Sequence, residues 1–346
     1  MTPVGRWIAR AAGIACVAAG AWLLLTPPAV GATADDGAEF SVPHQRIDVG
    51  GRKLNLYCSG AGAPVVVFES PAGSAGWNWF KVLPEVARHS RACVYDRAGF
   101  GFSDTSPRPS DSANAVDDLH ALLTAAAIPG PYLLVGSSYG AMHVQLYAYR
   151  YPAEIAGLVL VDGQNEDEFQ LLDIITNGAF AKARPGGLAH DRDCAESAEA
   201  GKVSDSCRWE DDRGAGKSLA AAIEQERGSP AYWRANESEF ASCCGFASSQ
   251  QLHEARRDIG DFPVTILARS ISPYAVPDQP PSPRNRAGED VHKASLEAVL
   301  AYAPKGELRV VPNASHLIQI EQPEAVSDTI IELLGRIREA GKEQHG

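Results

Sequence analysis

The sequence contains only one long apolar run and relatively few basic residues. That run, Ala11–Leu25, has 15 residues, fewer than the roughly 20 that a membrane-spanning helix needs. Lysine and arginine number 31 against 43 acidic residues, which gives a net charge of −12. Because nucleic-acid binding requires a basic face, this balance argues against a nucleic-acid partner. The 45% hydrophobic and 21% charged content is typical of a globular protein.

The first 32 residues have the arrangement of a secretory signal peptide. Arg6 and Arg10 precede the apolar run, and the small residues of 29–32 follow it. A basic start, a short apolar core and a small-residue cleavage site predict removal of residues 1–32 and a secreted or periplasmic location. Cleavage after Ala34 is the second choice, and retention of the segment as an anchor is the alternative. After cleavage no stable membrane span is expected.

The cysteines after residue 32 are even in number, and none forms a CxxC pair. An even number in an exported chain favours disulfide bonds. The missing CxxC pairs argue against a zinc site. The six residues are Cys58, Cys93, Cys194, Cys207, Cys243 and Cys244.

Apolar strand-like runs alternate with helical patterns along most of the chain. Continuous runs such as 64–68, 132–135 and 158–161 predict buried strands. Strands that alternate with helices predict an α/β fold, with a mostly parallel sheet covered by helices on both faces. One segment interrupts the alternation and predicts an inserted helical cap. The predicted segments are a linker at 33–43, a sheet domain at 44–162 and 262–346, and the cap at 163–261.

The strongest local motif is a G-x-S-x-G sequence centred on Ser138. It runs from Gly136 to Gly140, directly after the strand at 132–135 and directly before a predicted helix. A strand and a helix on either side are the context in which this motif forms a tight turn that exposes the serine hydroxyl. Ser138 is therefore the candidate nucleophile, and the neighbouring Ser137 occupies the variable position of the motif.

A serine hydroxyl is a weak nucleophile and needs a base that an acid orients. His316 is the candidate base because it follows the last predicted strand, and the acid is expected between the serine and the histidine in chain order. Asp162 ends the strand after the nucleophile helix and is favoured, while Asp278 in a Pro-rich loop is the alternative. Seven of the other eight histidines are assigned to linker, helix or tail positions: His44, His120, His143, His190, His253, His292 and His345.

Three features of the sequence resemble the α/β-hydrolase superfamily. They are the order Ser138, Asp162, His316, the Y-D-x-x-G-x-G-x-S stretch at 95–103, and the segment 315–324, in which Ser315 replaces the usual glycine. The resemblance covers about residues 45–165 and 262–340, and leaves the cap unmatched. It implies an eight-stranded, mostly parallel sheet and a serine esterase or lipase-like activity. Epoxide hydrolysis and dehalogenation on this fold use an aspartate nucleophile, whereas position 138 is serine.

The oxyanion hole of this superfamily uses backbone amides, one of them from the loop after the third strand. Here that loop contains Pro71, which has no N–H to donate, so the Ala72 amide is expected to act with that of Tyr139. Glu69 is expected to tie the loop down. Trp77 and Trp79 are candidates for either the acyl pocket or ordinary core packing.

The resemblance also implies one disulfide bond. In this fold the second strand lies antiparallel beside the fourth, so Cys58 at the end of one and Cys93 at the start of the other are expected to pair. The four cap cysteines allow three pairings, which the sequence does not decide. Pairing of Cys243 and Cys244 with Cys194 and Cys207 is preferred over a Cys243–Cys244 bridge, which would be strained.

These residues predict hydrolysis of a small-molecule carboxylic ester through an acyl-enzyme, with no metal or organic cofactor. An aminopeptidase or amidase on the same fold is the alternative, and it would need an acidic or aromatic clamp for the substrate amine. The acidic stretch Glu166-Asp167-Glu168 is a possible clamp, although the pattern is typical of a solvated face. A non-catalytic binding protein is the third hypothesis.

Overall fold

The architecture is an eight-stranded sheet with helices on both faces, as the α/β prediction required. In the computed structural model, the described residues are 35–208, 214–243, 246–276 and 278–343. The predicted signal peptide, residues 1–32, lies outside this range. The strands are β1 (Gln45–Asp48), β2 (Lys53–Ser59), β3 (Val65–Glu69), β4 (Ala92–Tyr95), β5 (Tyr132–Ser137), β6 (Ile155–Val161), β7 (Val264–Arg269) and β8 (Gly306–Val311).

The sheet order is β1-β2-β4-β3-β5-β6-β7-β8. The first three strands in this order pair antiparallel, and every pair from β4–β3 to β7–β8 is parallel. Strands β3 and β5 are buried along their whole length, which explains their continuous apolar sequences. Because the parallel strands share one direction, the residues that follow β5, β6, β7 and β8 meet at one edge of the sheet.

Helices cover both faces of the sheet and enclose two apolar cores. Valines of β3 illustrate the division, because Val66 belongs to one core and Val65 and Val67 to the other, as the alternation of a strand requires. The helices are α1 (Leu83–Ala87), α2 (Ser112–Ala125), α3 (Tyr139–Arg150), α4 (Glu168–Ile175), α5 (Ala179–Glu199), α6 (Lys217–Arg227), α7 (Pro230–Ser242), α8 (Ala247–Ala255), α9 (Pro283–Leu300), α10 (Ile318–Glu321) and α11 (Pro323–Glu343).

Between β6 and β7, the regular structure of the described residues is helical. It comprises α4 to α8 and the 3₁₀ helix Asp205–Cys207, in the region predicted as an inserted cap. Within it, α5 packs along α7. No helix among the described residues combines the length and apolar character required to cross a membrane.

The prediction of a linker at 33–43 was wrong for its described part. A 3₁₀ helix spans Ala38–Ser41, and Phe40 is only 4% exposed, with its ring edge-on to Tyr57 at 5.3 Å. The Asp35 carboxylate accepts hydrogen bonds of 2.9 Å from both the amide and the hydroxyl of Ser218, at the start of α6. The segment therefore attaches the cap to the sheet domain, because it contains a buried aromatic side chain and a carboxylate that caps a helix N-terminus.

Two disulfide bonds join described cysteines. Cys58 and Cys93 face each other across β2 and β4, with their Cα atoms 4.1 Å apart, as the resemblance implied. Cys194 pairs with Cys207, so the preferred pairing of both with Cys243 and Cys244 was wrong. The physical reason is proximity, since the chain turns back after α5 and brings Cys207 against that helix. Cys243 is buried, and Cys244 lies outside the described residues.

Candidate active site

Ser138 lies at a sharp turn between β5 and α3. Its φ of 52° and ψ of −121° are unusual for a residue with a side chain, which is the strained geometry expected of this motif. The flanking glycines permit the turn. A Cβ on Gly136 would lie 2.5 Å from the Gly140 carbonyl oxygen, and one on Gly140 would lie 2.6 Å from that of Glu69.

The structure brings Ser138, His316 and Asp162 together in one chain of hydrogen bonds. The distance from Ser138 Oγ to His316 Nε2 is 2.9 Å, and that from His316 Nδ1 to Asp162 Oδ2 is 2.7 Å. A carboxylate accepts only, so Nδ1 donates to Asp162, and this leaves Nε2 free to accept from the serine. This is the arrangement in which a base can remove the serine proton.

The loop that carries His316 is fixed at both sides. Its neighbour Ser315 donates through its amide to Glu321 at 2.6 Å, and the Ala314 carbonyl accepts from the amides of Ser270 and Ile271. The His316 side chain remains 37% exposed. A substrate can therefore reach the imidazole although the loop is held in place.

Asp162, at the turn that follows β6, accepts four hydrogen bonds. Oδ1 accepts from the Arg269 amide at 3.0 Å and from His292 Nε2 at 2.9 Å, and Oδ2 accepts from Arg269 Nη1 at 2.8 Å and from His316. A carboxylate offers about four acceptor positions, so all are occupied. Burial favours the neutral acid, but the hydrogen bonds from His292 and His316 and the charge of Arg269 hold the pKa of Asp162 well below its usual range.

Asp278, the alternative acid, is exposed on the segment after β7. Its φ of 61° belongs to a turn, and the carboxylate that accepts from His316 is that of Asp162. Asp162 follows β6 directly at the sheet edge, and its carboxylate lies 2.7 Å from His316 Nδ1.

Sequence reasoning missed His292, which lies on α9. Its Nε2 lies 2.9 Å from Asp162 Oδ1 and its Nδ1 lies 2.7 Å from Glu168 Oε1. Burial lowers the pKa of His292, but the hydrogen bonds to Asp162 and Glu168 outweigh it and raise the pKa to about 9. No local motif marks this histidine, because its partners come from segments more than a hundred residues away.

Arg269 and Glu168 were missed as well. Arg269 is the last residue of β7, and its guanidinium spans Asp162 and Glu289, with two bonds of 3.0 Å to the latter. The position of Arg269 at the end of a strand could have indicated a place near the site, because the ends of the parallel strands meet at the sheet edge that carries Ser138, Asp162 and His316. The expectation of a solvated face at 166–168 was wrong for two of its three residues, because Glu166 and Glu168 are buried. They pair with Arg256 and His292 respectively.

The loop after β3 is held by a buried ion cluster. Arg97 donates to Glu69 at 2.6 Å and to the carbonyls of Ser70 and Pro71 at 2.7 and 2.8 Å. It also donates at 2.6 Å to Glu239 on cap helix α7, whose other oxygen accepts from the Gly73 amide at 2.8 Å. The expected role of Glu69 in tying down this loop agrees with these contacts.

The predicted oxyanion donors lie at this loop and at the nucleophile turn. Ala72 is exposed between Pro71 and Gly73, and Tyr139 is the first residue of α3. The close approach of Gly140 to the Glu69 and Ser70 carbonyls sets the two segments side by side. The donor roles of Ala72 and Tyr139 remain predictions.

A cavity of about 220 Å³ opens next to Ser138 and His316. Apolar side chains from the cap, namely Phe169, Leu172 and Phe180, form part of its wall. This volume is below the roughly 300–1,000 Å³ typical of sites for drug-sized ligands.

Trp77 and Trp79 are buried in the core and are absent from the cavity wall, so ordinary packing is their role. His143 is buried beside Glu69, and His120 stacks on Tyr151.

Two clusters of described residues place potential metal ligands close together. One contains His190, Cys194 and Cys207, and the other contains Glu166, Asp167 and His253. The sulfurs of the first cluster form a disulfide bond, which removes the thiolates that would bind a metal. Both carboxylates of the second cluster lie within 4.0 Å of the Arg256 guanidinium, a cation that competes with a metal ion.

The sequence profile of the alpha/beta hydrolase family matches residues 56–329. This is most of the chain, so the protein belongs to the alpha/beta hydrolase family, and the resemblance noted above is confirmed.

Individual relatives match shorter parts of the chain. A segment of 130 residues is 37% identical to a 2-hydroxy-6-oxo-2,4-heptadienoate hydrolase of Pseudomonas putida, and covers 36% of this chain and 45% of that protein. The uncharacterized protein YqjL of Bacillus subtilis is 31% identical over 127 residues, or 37% of this chain and 45% of that protein. The chain thus matches less than half the length of these relatives.

Solved structures of the same fold cover more of the chain. A loop variant of a haloalkane dehalogenase from Bradyrhizobium elkanii has a TM-score of 0.65 and 18% identity, and covers 87% of this chain and 99% of that one. A thermophilic esterase from Thermogutta terrifontis has a TM-score of 0.53 and 18% identity, with 86% and 98% covered. At these identities the likeness shows the fold alone.

Proposed function

We propose that this protein hydrolyses small carboxylic esters through an acyl-enzyme formed on Ser138. The observation that carries the proposal is the hydrogen-bonded chain from Ser138 Oγ through His316 to Asp162, with distances of 2.9 and 2.7 Å. A serine hydroxyl, an imidazole and a fixed carboxylate in this order are the groups that acyl transfer requires.

The reaction follows from these contacts. Ser138 Oγ attacks the ester carbonyl while its proton moves to His316 Nε2, and Asp162 stabilises the imidazolium that forms. The amides of Ala72 and Tyr139 donate to the oxyanion of the tetrahedral intermediate. His316 then gives the proton to the leaving alcohol as its bond to the acyl carbon breaks. A water molecule loses a proton to His316 and attacks the acyl carbon, and the bond to Ser138 Oγ breaks as that proton returns to the serine and the acid leaves.

The nucleophile and the cavity narrow the substrate class. Enzymes of this fold that open epoxides or remove halides use an aspartate nucleophile, and position 138 carries a hydroxyl. The volume of about 220 Å³ and the phenylalanine and leucine side chains of the wall suit a short apolar acyl or alcohol group. A small-molecule ester is therefore the proposed substrate.

The acidic residues near the site support an ester rather than a peptide or amine-bearing amide. Glu168 is hydrogen-bonded to His292 and Glu166 to Arg256, so both are already paired with cations. Asp167 is exposed. A clamp for a substrate ammonium group needs a carboxylate whose charge is not already neutralised.

A panel of chromogenic substrates tests the proposal. We expect p-nitrophenyl acetate and butyrate to be hydrolysed faster than the octanoate, because the cavity is small, and amino-acid p-nitroanilides to be cleaved far more slowly. A fluorophosphonate probe should label the protein at Ser138, because it reacts with an activated serine. Faster turnover of the anilides would favour the amidase, and absence of both labelling and turnover would favour a non-catalytic binding protein.

We also propose that the protein is exported, with residues 1–32 as its signal peptide. Two disulfide bonds between described cysteines support an oxidising compartment. We expect N-terminal sequencing of protein recovered outside the cytoplasm to begin at Thr33. A membrane-bound product that still contains the Ala11–Leu25 run would instead indicate a retained anchor.

A further inference from the structure

His292 stands on the opposite side of Asp162 from His316. The two imidazoles donate to different oxygens of that carboxylate, His316 to Oδ2 at 2.7 Å and His292 to Oδ1 at 2.9 Å. Ester hydrolysis as proposed above uses only the first. The second imidazole lines the cavity, but both its nitrogens are bonded to carboxylates, so neither is left to bind a substrate.

The hydrogen bonds of His292 define its charge. Nε2 faces Asp162 and Nδ1 faces Glu168, and both partners are carboxylates. Ionised carboxylates accept hydrogen bonds and cannot donate them, so an imidazole between two of them must carry a proton on each nitrogen. His292 is therefore an imidazolium, and its pKa of about 9 agrees with that charge at neutral pH.

The charged groups around His292 come from five elements. The carboxylates are those of Asp162 after β6, Glu168 on α4 and Glu289 on α9. The guanidinium is that of Arg269 at the end of β7, and the other imidazole is that of His316 after β8. Arg269 is shared between Asp162 and Glu289. Glu168 is the partner that holds His292 from the cap side.

We propose that His292 is a positioning residue, which fixes Asp162 and, as a cation beside it at neutral pH, sets the pH range in which His316 acts as a base. The expected change in the pH profile of turnover rests on the proposed function. The expected change in the titration of His316 rests on the hydrogen bonds alone. A positive charge next to Asp162 weakens the attraction between that carboxylate and a protonated His316. Proton loss from His316 is thereby favoured, and the base is active at lower pH.

His292→Gln tests this by removing the charge and retaining an N–H that can reach Asp162. The acid limb of the kcat/KM profile reports the base of the free enzyme, and we expect its midpoint to rise by about one pH unit. His292→Lys keeps the positive charge and should return the midpoint to within a few tenths of a unit of wild type. Lys293→Gln, on the exposed side of the same helix, is the matched control and should change nothing.

The titration of the His316 ring provides a readout that does not depend on turnover. It can be followed by NMR in histidine-labelled protein, with the His316→Ala variant used to assign the signal. We expect its midpoint to rise in His292→Gln in parallel with the kinetic limb. The proposed ester activity could fail while this shift is still observed, which separates the two hypotheses. An unchanged His316 titration in folded His292→Gln overturns the positioning role.

Glu168→Gln keeps the inference testable should His292→Gln fail to fold. The amide oxygen can still accept from His292 Nδ1, and the substitution removes the negative charge that offsets the cation. We expect the His316 midpoint to move in the opposite direction, to lower pH. A midpoint that stays in place or rises in this variant contradicts the proposal. Circular dichroism and Tm would establish that each variant is folded.

Discussion

Replacement of Ser138 by alanine is expected to lower kcat by on the order of 10⁶-fold, the loss typical of removing a serine nucleophile. The substitution removes the only atom that can form the acyl-enzyme and leaves His316 and Asp162 in place. Stability should change little, because the substitution removes one part-buried hydrogen bond, that to His316. Initial rates with p-nitrophenyl acetate, together with intact-protein mass spectrometry after fluorophosphonate treatment, measure the effect.

Ser137→Ala is the matched control for that experiment. Ser137 is the neighbouring serine, and its buried hydroxyl donates to Gln319 at 3.2 Å. We expect this variant to retain labelling and most of its turnover. If Ser137→Ala removes labelling while Ser138→Ala keeps it, the assignment of the nucleophile is wrong.

Replacement of Asp162 by asparagine is expected to reduce both activity and stability. Asparagine places an amide where a carboxylate holds the Nδ1 proton of His316, so the imidazole loses its correct tautomer and kcat should fall on the order of 10⁴-fold. Asp162 also neutralises Arg269 and His292, which are both buried. Loss of one partner from a buried ion pair costs about 3–5 kcal/mol, so the free energy of unfolding should fall by a comparable amount.

A loss of both turnover and folding stability is expected for Asp162, because this carboxylate serves the catalytic histidine and also a buried ion cluster. Urea unfolding and kcat, measured on the same preparation of Asp162→Asn, give both quantities. Asp278→Asn is the control, because the exposed Asp278 side chain is expected to affect neither. A large loss of turnover in Asp278→Asn, with activity kept in Asp162→Asn, would contradict the assignment of the acid.

Local sequence was sufficient for the residues that lie within a short motif. Ser138 was predicted as the nucleophile because the motif combines two glycines with a strand before it and a helix after it. His316 was predicted as the base from its place after the last strand, and the Cys58–Cys93 bond was predicted from the strand order that the family resemblance implied. In each case the signal consisted of neighbours in sequence or of the known order of a family fold.

Residues whose partners are distant in sequence gave no such signal. His292 lies within α9 and was assigned to an ordinary helix position, since nothing near it in sequence indicates Asp162 or Glu168. The acidic stretch at 166–168 was interpreted as solvated, because charge patterning does not reveal that cations on other elements will bury it. Cys194 and Cys207 were assigned to the wrong partners although only 13 residues separate them, because the sequence does not show that the chain turns back after α5.

The sequence by itself determined the strands and the tight turn at Ser138. These depend on local sterics and on the alternation of apolar residues, which act over a few residues. Only the tertiary structure decided which carboxylate faces His316, and that a second imidazole and an arginine share it. The reason is geometric, because the ends of β6, β7 and β8 and the helix α9 meet at one sheet edge only after the chain has folded.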